Sequence, residues 1–165
     1  MKRFLNYVFY FTWKLHRTIG INFIEKPTKY ILNFIPFFNK NLKKREKYYR
    51  NIMDNPEYGL DIGFSFYCML TTGTILSSCL LFFFVTLFGI SINNKHKLYT
   101  FTIVALVISY TINEILLGWH KKNYIKLFKE FEKSNKKYKG YITALCYHLG
   151  TIILAISIIL FIQQY

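Results

Sequence analysis

The sequence predicts an all-α integral membrane protein with three transmembrane helices. Apolar runs occupy about 62–92, 98–119 and 141–162. Each is long enough to cover a hydrocarbon core of about 30 Å at about 1.5 Å per residue. The chain has 165 residues and is 53% hydrophobic, yet its net charge is +14. The two properties are segregated, with lysine-dense runs alternating with uncharged ones, as in integral membrane proteins. N-terminal amphipathic interfacial helices are expected before the spans, and a basic amphipathic helix between spans 2 and 3. Residues 1–61 are therefore read as a basic amphipathic region on the cytoplasmic or matrix side, and residues 62–165 as a three-helix membrane domain.

The first segment is helical by its spacing. Phe4, Leu5, Val8, Phe11, Leu15 and Ile19 recur on one side, and Arg3, Asn6, Tyr10, Lys14 and Arg17 fall on the other. Such a helix suits the headgroup region or a partner surface, and Trp13 favours that depth. No small-residue cleavage site follows it, so it is not read as a signal peptide. Pro27 is expected to end it. Residues 28–38 are apolar but too short to span, and Pro36 interrupts them. Residues 39–53 read as a short basic helix, closed by the turn signal Asn55-Pro56.

Residues 62–92 exceed what a bilayer needs, so this span must tilt, kink or protrude. Gly73 with Ser77, and Thr74 with Ser78, put small residues four apart on one face, which lets another helix approach closely. The aromatic half, Leu80 to Phe88, is left for lipid or bulky neighbours. The short connection at 93–97 makes the first two spans an antiparallel hairpin. On the second span Ala105, Ser109 and Asn113 form a stripe suited to the small face of the first. Residues 120–138 are expected to continue helically past the membrane, with Tyr124, Leu127, Phe128 and Phe131 on the apolar side. Residues 1–61 carry 12 basic and 5 acidic side chains, and the 120–140 loop is also lysine-rich. The positive-inside rule therefore predicts an N-in, C-out orientation.

Glu114 is the one acid inside a span, and a carboxylate at membrane depth normally faces the bundle interior or a water-filled cavity. His148 enters the third span from the same side to a comparable depth. Glu114 and His148, with Tyr110 and Asn113, are candidates for a proton relay or a buried polar pair. Against that stands a purely structural contact that fixes helix register. Lys43, Lys44, Arg45, Lys121, Lys122 and Lys126 are candidate anionic-lipid contacts. The cysteines, Cys68, Cys79 and Cys146, form no C-x-x-C pair and read as small residues buried in helix contacts. The histidines match no metal-site spacing, and no nucleotide-binding or catalytic motif occurs. No metal, no cofactor and no enzyme activity are expected. Nucleic-acid binding is not expected either, because the lysine runs flank spans and arginine is scarce.

His16-Arg17-Thr18-Ile19-Gly20 resembles the H-R-x-[ST]-G pattern of succinate dehydrogenase anchor subunits, but Ile19 stands where Ser or Thr belongs and polar residues follow, so no family is assigned. The usage of Ile, Lys, Phe, Tyr and Asn, with few Ala and Pro, points to an AT-rich genome. The composition resembles that of hydrophobic proteins encoded in AT-rich mitochondrial genomes, such as those of ciliates. The expectation is a non-catalytic integral membrane subunit of a larger complex, accessory to a respiratory chain in the mitochondrial inner membrane. Its expected partners are other subunits and anionic lipids such as cardiolipin. The alternative is a self-assembling bacterial inner-membrane pore or transport subunit, with Glu114 and the Thr/Ser face of the first span lining a path.

Overall fold

The computed structural model describes residues 1–33, 48, 50, 52, 54–57, 59–89, 95–133 and 137–163. It is about 90% helical, with no strand among the described residues. The helices described are α1 (Lys2–Ile19), α2 (Lys26–Asn33), α3 (Leu60–Leu87), α4 (Lys95–Leu117), α5 (Tyr124–Lys133) and α6 (Lys137–Gln163). Three segments are long and apolar enough to cross a membrane: Leu60–Leu87, Tyr99–Leu117 and Lys137–Leu160. At the α-helical rise these are about 42, 28 and 36 Å long. The first stops short of the expected 62–92. α3 ends at Leu87, Gly89 takes a left-handed φ of 65°, and 90–92 lie outside the described residues.

α3 and α4 pack through the small-residue stripes read from the sequence. Ala105, Ser109 and Asn113 are all buried. Gly73 faces them so closely that a Cβ there would lie 2.5 Å from Ser109 Oγ and 3.0 Å from Asn113 Nδ2. The missing side chain lets Ser109 Oγ donate to the Leu70 carbonyl at 3.0 Å, a hydrogen bond between the helices. Leu80, Phe83, Phe84 and Leu87 remain exposed along the far half of α3.

α1 packs against the ends of these helices and becomes the centre of the core. Val8, Phe9 and Phe11 are fully buried. So is Asn6, and Tyr10 is buried as well, although the helical spacing puts both on the polar side. The correction has a physical cause. α4 ends at Leu117 because Gly118 adopts φ 64°, which leaves late carbonyls without helical donors. Asn6 Nδ2 donates to one of them, Leu116 O, at 2.8 Å, and to Lys2 O at 2.9 Å. A polar side chain is thereby drawn into the interior.

Two further boundaries differ from expectation. Pro27 does not end the N-terminal helix. α1 stops at Ile19, a wider π-type turn runs from Gly20 to Glu25, and Pro27 sits in the first turn of α2, where a missing N–H costs little. The stretch 120–138 does not continue α4. The turn Gly118–Asn123 breaks it, closed by Asn123 N–H to Gly118 O at 3.1 Å, with Lys122 also left-handed at φ 51°. The turn folds α5 back onto α1. Tyr124, Phe128 and Phe131 are buried there, as their spacing predicts, and Trp13 stacks on Phe128 with ring centroids 5.4 Å apart. Phe66, Trp119 and Tyr124 form a stacked column, and Tyr124 Oη donates to Pro56 O at 2.8 Å. Gly140 on α6 accommodates the Phe11 ring.

Candidate functional site

The polar side chains gather where α1 crosses α3 and α6. His148 lies between two threonines, with Thr72 Oγ1 2.7 Å from its Nδ1 and Thr12 Oγ1 3.0 Å from its Nε2. Each hydroxyl also reaches the carbonyl four residues back, Cys68 O at 2.8 Å and Val8 O at 2.9 Å. A hydroxyl has one proton to give. When both threonines give theirs to carbonyls, both ring nitrogens must donate and the ring is an imidazolium. A neutral ring instead takes one hydroxyl proton, and that carbonyl keeps only its helical N–H partner. The two states differ by one proton and one hydroxyl rotation.

His16 sits one turn away on α1. Its Nδ1 is 3.0 Å from Ser65 Oγ, which donates to Asp61 O at 2.7 Å. The committed hydroxyl makes His16 Nδ1 the donor, so Nε2 faces the Cys68 thiol, 3.7 Å away, as an acceptor. Burial pushes the His16 pKa below its ordinary value. The neutral ring suits this junction.

Glu114 and His148 are not brought together. Glu114 turns instead to the break after α4, where its carboxylate meets His120 Nδ1 at 2.9 Å and the His120 backbone N–H at 3.3 Å. The reason is the left-handed Gly118, which curls His120 back over the end of α4 within reach of a carboxylate six residues earlier. Tyr110 is near the same pair, its ring centroid 6.3 Å from that of His120. Asn113 belongs to the α3–α4 contact, bonded to Ser109 O at 2.9 Å. The four candidates therefore divide between three places. Position along the spans could not reveal this, because depth says nothing about which side of a helix a residue occupies. The Thr12–His148–Thr72 contact is not foreseen in the sequence, since Thr12 and Thr72 are not among its candidate residues.

Among the basic candidates, Lys121, Lys122 and Lys126 are exposed, with Lys122 Nζ 4.0 Å from Glu57. Lys43, Lys44 and Arg45 lie outside the described residues. Other acids bind cations of the chain: Asp54 pairs with Arg17 at 2.9 Å and Glu132 with Lys14 at 2.8 Å. The hydrogen bond from Lys14 holds Glu132 below the ordinary carboxylate range. Burial, with Glu132 and Tyr141 nearby and Arg17 opposing, pushes Tyr10 up to about 12. Burial and Glu57 do the same for Tyr124.

Among the described residues no group of three His, Cys, Asp or Glu side chains could hold a metal ion. Cys79 is buried and Cys68 half-buried, but Cys146 is exposed on α6, contrary to the expectation for all three. Thr72 and Ser77 are buried between helices, whereas Thr74 and Ser78 line an open-sided groove of about 470 Å³ with Phe82, Phe101 and Ile158. No protein-family model matches the chain, and neither a curated protein nor a solved structure matches it significantly.

Proposed function

We propose that the chain is a non-catalytic integral membrane subunit of a larger complex, accessory to a respiratory-chain assembly in the inner membrane of a mitochondrion with an AT-rich genome. The observation that carries the proposal is how the polar and apolar groups are used. His16, His148, Glu114, Asn6 and Asn113 bind other parts of the same chain. Of the most apolar window in each span, only 22%, 22% and 11% is buried within the chain. The polar groups thus serve the chain's own helices and turns, with His16, His148 and Asn6 joining separate helices, and the flanks are left for neighbouring subunits and lipid. The exposed lysines Lys121, Lys122 and Lys126 supply contacts for anionic lipids such as cardiolipin, each worth about 1 kcal/mol near the surface. In this reading the N-terminus and the 120–140 loop face the matrix.

Identification of what co-purifies with the chain in a mild detergent tests the proposal. The expected result is a large assembly of different subunits. A monodisperse homo-oligomer overturns it and favours the pore or transport alternative.

A further inference from the structure

At the end of the bundle where α1 and α5 pack, a cleft of about 290 Å³ is cut beside the start of α3. Its lining includes Glu57, Leu60, Gly63, Phe64, Tyr67 and Trp119. Gly63 leaves it open, since a Cβ there would meet no atom within 4 Å. Phe64 and Tyr67 stand exposed. Trp119 has its ring faces against Phe66 and Tyr124, so it offers the cleft an edge. Tyr and Trp at the end of a span belong at headgroup depth.

Among the described residues Glu57 is the one charged side chain that lines the cleft, and Lys122 stands beside it, outside the lining. The Glu57 carboxylate is half exposed and only 4.0 Å from Lys122 Nζ, a looser pair than Asp54–Arg17 at 2.9 Å or Glu132–Lys14 at 2.8 Å. Lys122 is held there in a left-handed conformation, which L side chains seldom adopt, by the turn that also places Trp119.

We propose that this cleft seats the headgroup of a zwitterionic amine phospholipid, of the choline or ethanolamine class. The ammonium lies between the Glu57 carboxylate and the exposed rings of Phe64 and Tyr67, which attract a cation over their faces. The phosphate takes the Lys122 ammonium. The loose Glu57–Lys122 pair parts, and each member gains a closer partner of opposite charge. The acyl chains then run along the uncovered flank of α3. An anionic lipid lacking the ammonium would meet an unmatched carboxylate at Glu57. This site therefore selects against the lipids that the lysines attract elsewhere. The inference rests on the spans lying in a bilayer, and does not require the chain to belong to a complex.

The test offers the full chain, in mild detergent, an equimolar mixture of phosphatidylcholine, phosphatidylethanolamine and phosphatidylglycerol. Native mass spectrometry then reads the lipids retained. One amine lipid per chain is expected in preference to phosphatidylglycerol. Retention should fall about tenfold in Glu57→Gln, as for loss of one charge-assisted contact. It should fall as far in Gly63→Leu, which fills the cleft where the structure has room and leaves the helical circular dichroism unchanged. Unaltered retention in Gly63→Leu, or a preference for phosphatidylglycerol, overturns the proposal. Alkaline carbonate extraction of membranes from cells that express the chain reads insertion separately. A chain released by carbonate refutes both the membrane reading and the cleft, whereas an inserted chain without amine-lipid selectivity refutes the cleft alone.

Discussion

Replacing Gly73 by Ala tests the packing of α3 on α4 at its tightest point. The new methyl would lie 2.5 Å from Ser109 Oγ and 3.0 Å from Asn113 Nδ2, while Ser109 Cβ stays at an ordinary 3.6 Å. Relief requires the Ser109 hydroxyl to turn away from Leu70 O, which it now reaches at 3.0 Å. An interhelical hydrogen bond of this kind is worth about 0.6 kcal/mol in a membrane. Overpacking adds about 1–3 kcal/mol. The expected destabilisation is therefore about 1.6–3.6 kcal/mol. Gly150→Ala is the control, because nothing lies within 4 Å of a Cβ there. That exchange should be neutral, or stabilising by up to about 1 kcal/mol from helix propensity. Reversible unfolding in mixed micelles, followed by circular dichroism, gives both values. Adding Ser109→Ala to Gly73→Ala removes the clashing oxygen, so the double variant should recover about 1 kcal/mol relative to additivity. Equal effects of Gly73→Ala and Gly150→Ala, or strict additivity in the double variant, would refute the reasoning.

Other consequences are open to measurement. Asn6→Ala strands the Leu116 carbonyl inside the core and should cost about 1–3 kcal/mol in the same unfolding assay. Gly140→Ala sets a methyl against the Phe11 ring and should loosen α1 from α6, read as faster proteolysis of the N-terminal segment. Acid should weaken the contacts of α1 in two separate windows, with α3 through His16 and with α5 through Glu132. Burial lowers the His16 pKa from 6.5, so the unfolded chain takes up the proton first. Stability from this group is full above 6.5 and declines as pH falls toward the folded value, by no more than about 1.4 kcal/mol per pH unit. Glu132 has a folded pKa below 4.5, so its contribution is present above 4.5 and lost as pH falls through the folded value. In a pH series of melting temperatures, His16→Gln should diminish the upper window, to which His148 also contributes, and leave the lower one. A profile unchanged by His16→Gln would contradict the placement of that ring.

The stripes on α3 and α4 were legible because both belong to continuous helices, where a four-residue interval fixes a shared face. The buried side of α5 was legible for the same reason. Glu114 was not, because its partner His120 lies beyond a chain reversal. That reversal depends on Gly118 and Lys122 both turning left-handed, and a Gly followed by five residues does not announce its backbone angles. The face of α1 was misread because helical periodicity sorts residues by polarity alone. Asn6 is polar, yet it is buried because its Nδ2 satisfies a carbonyl that α4 leaves open, although its Oδ1 finds no partner there.

Length, hydrophobic content and the separation of lysines from apolar runs were sufficient to determine the three apolar helices. These are one-dimensional properties, and length and composition can be read one helix at a time. Tertiary structure alone decided what those helices hold between them. His148 lies between Thr12 and Thr72, which are 60 residues apart in sequence. Glu57 and Lys122, on two distant turns, come within 4.0 Å of each other. Contacts of this kind depend on which sides of separate helices are turned together, and that choice is made by the packing of all of them at once.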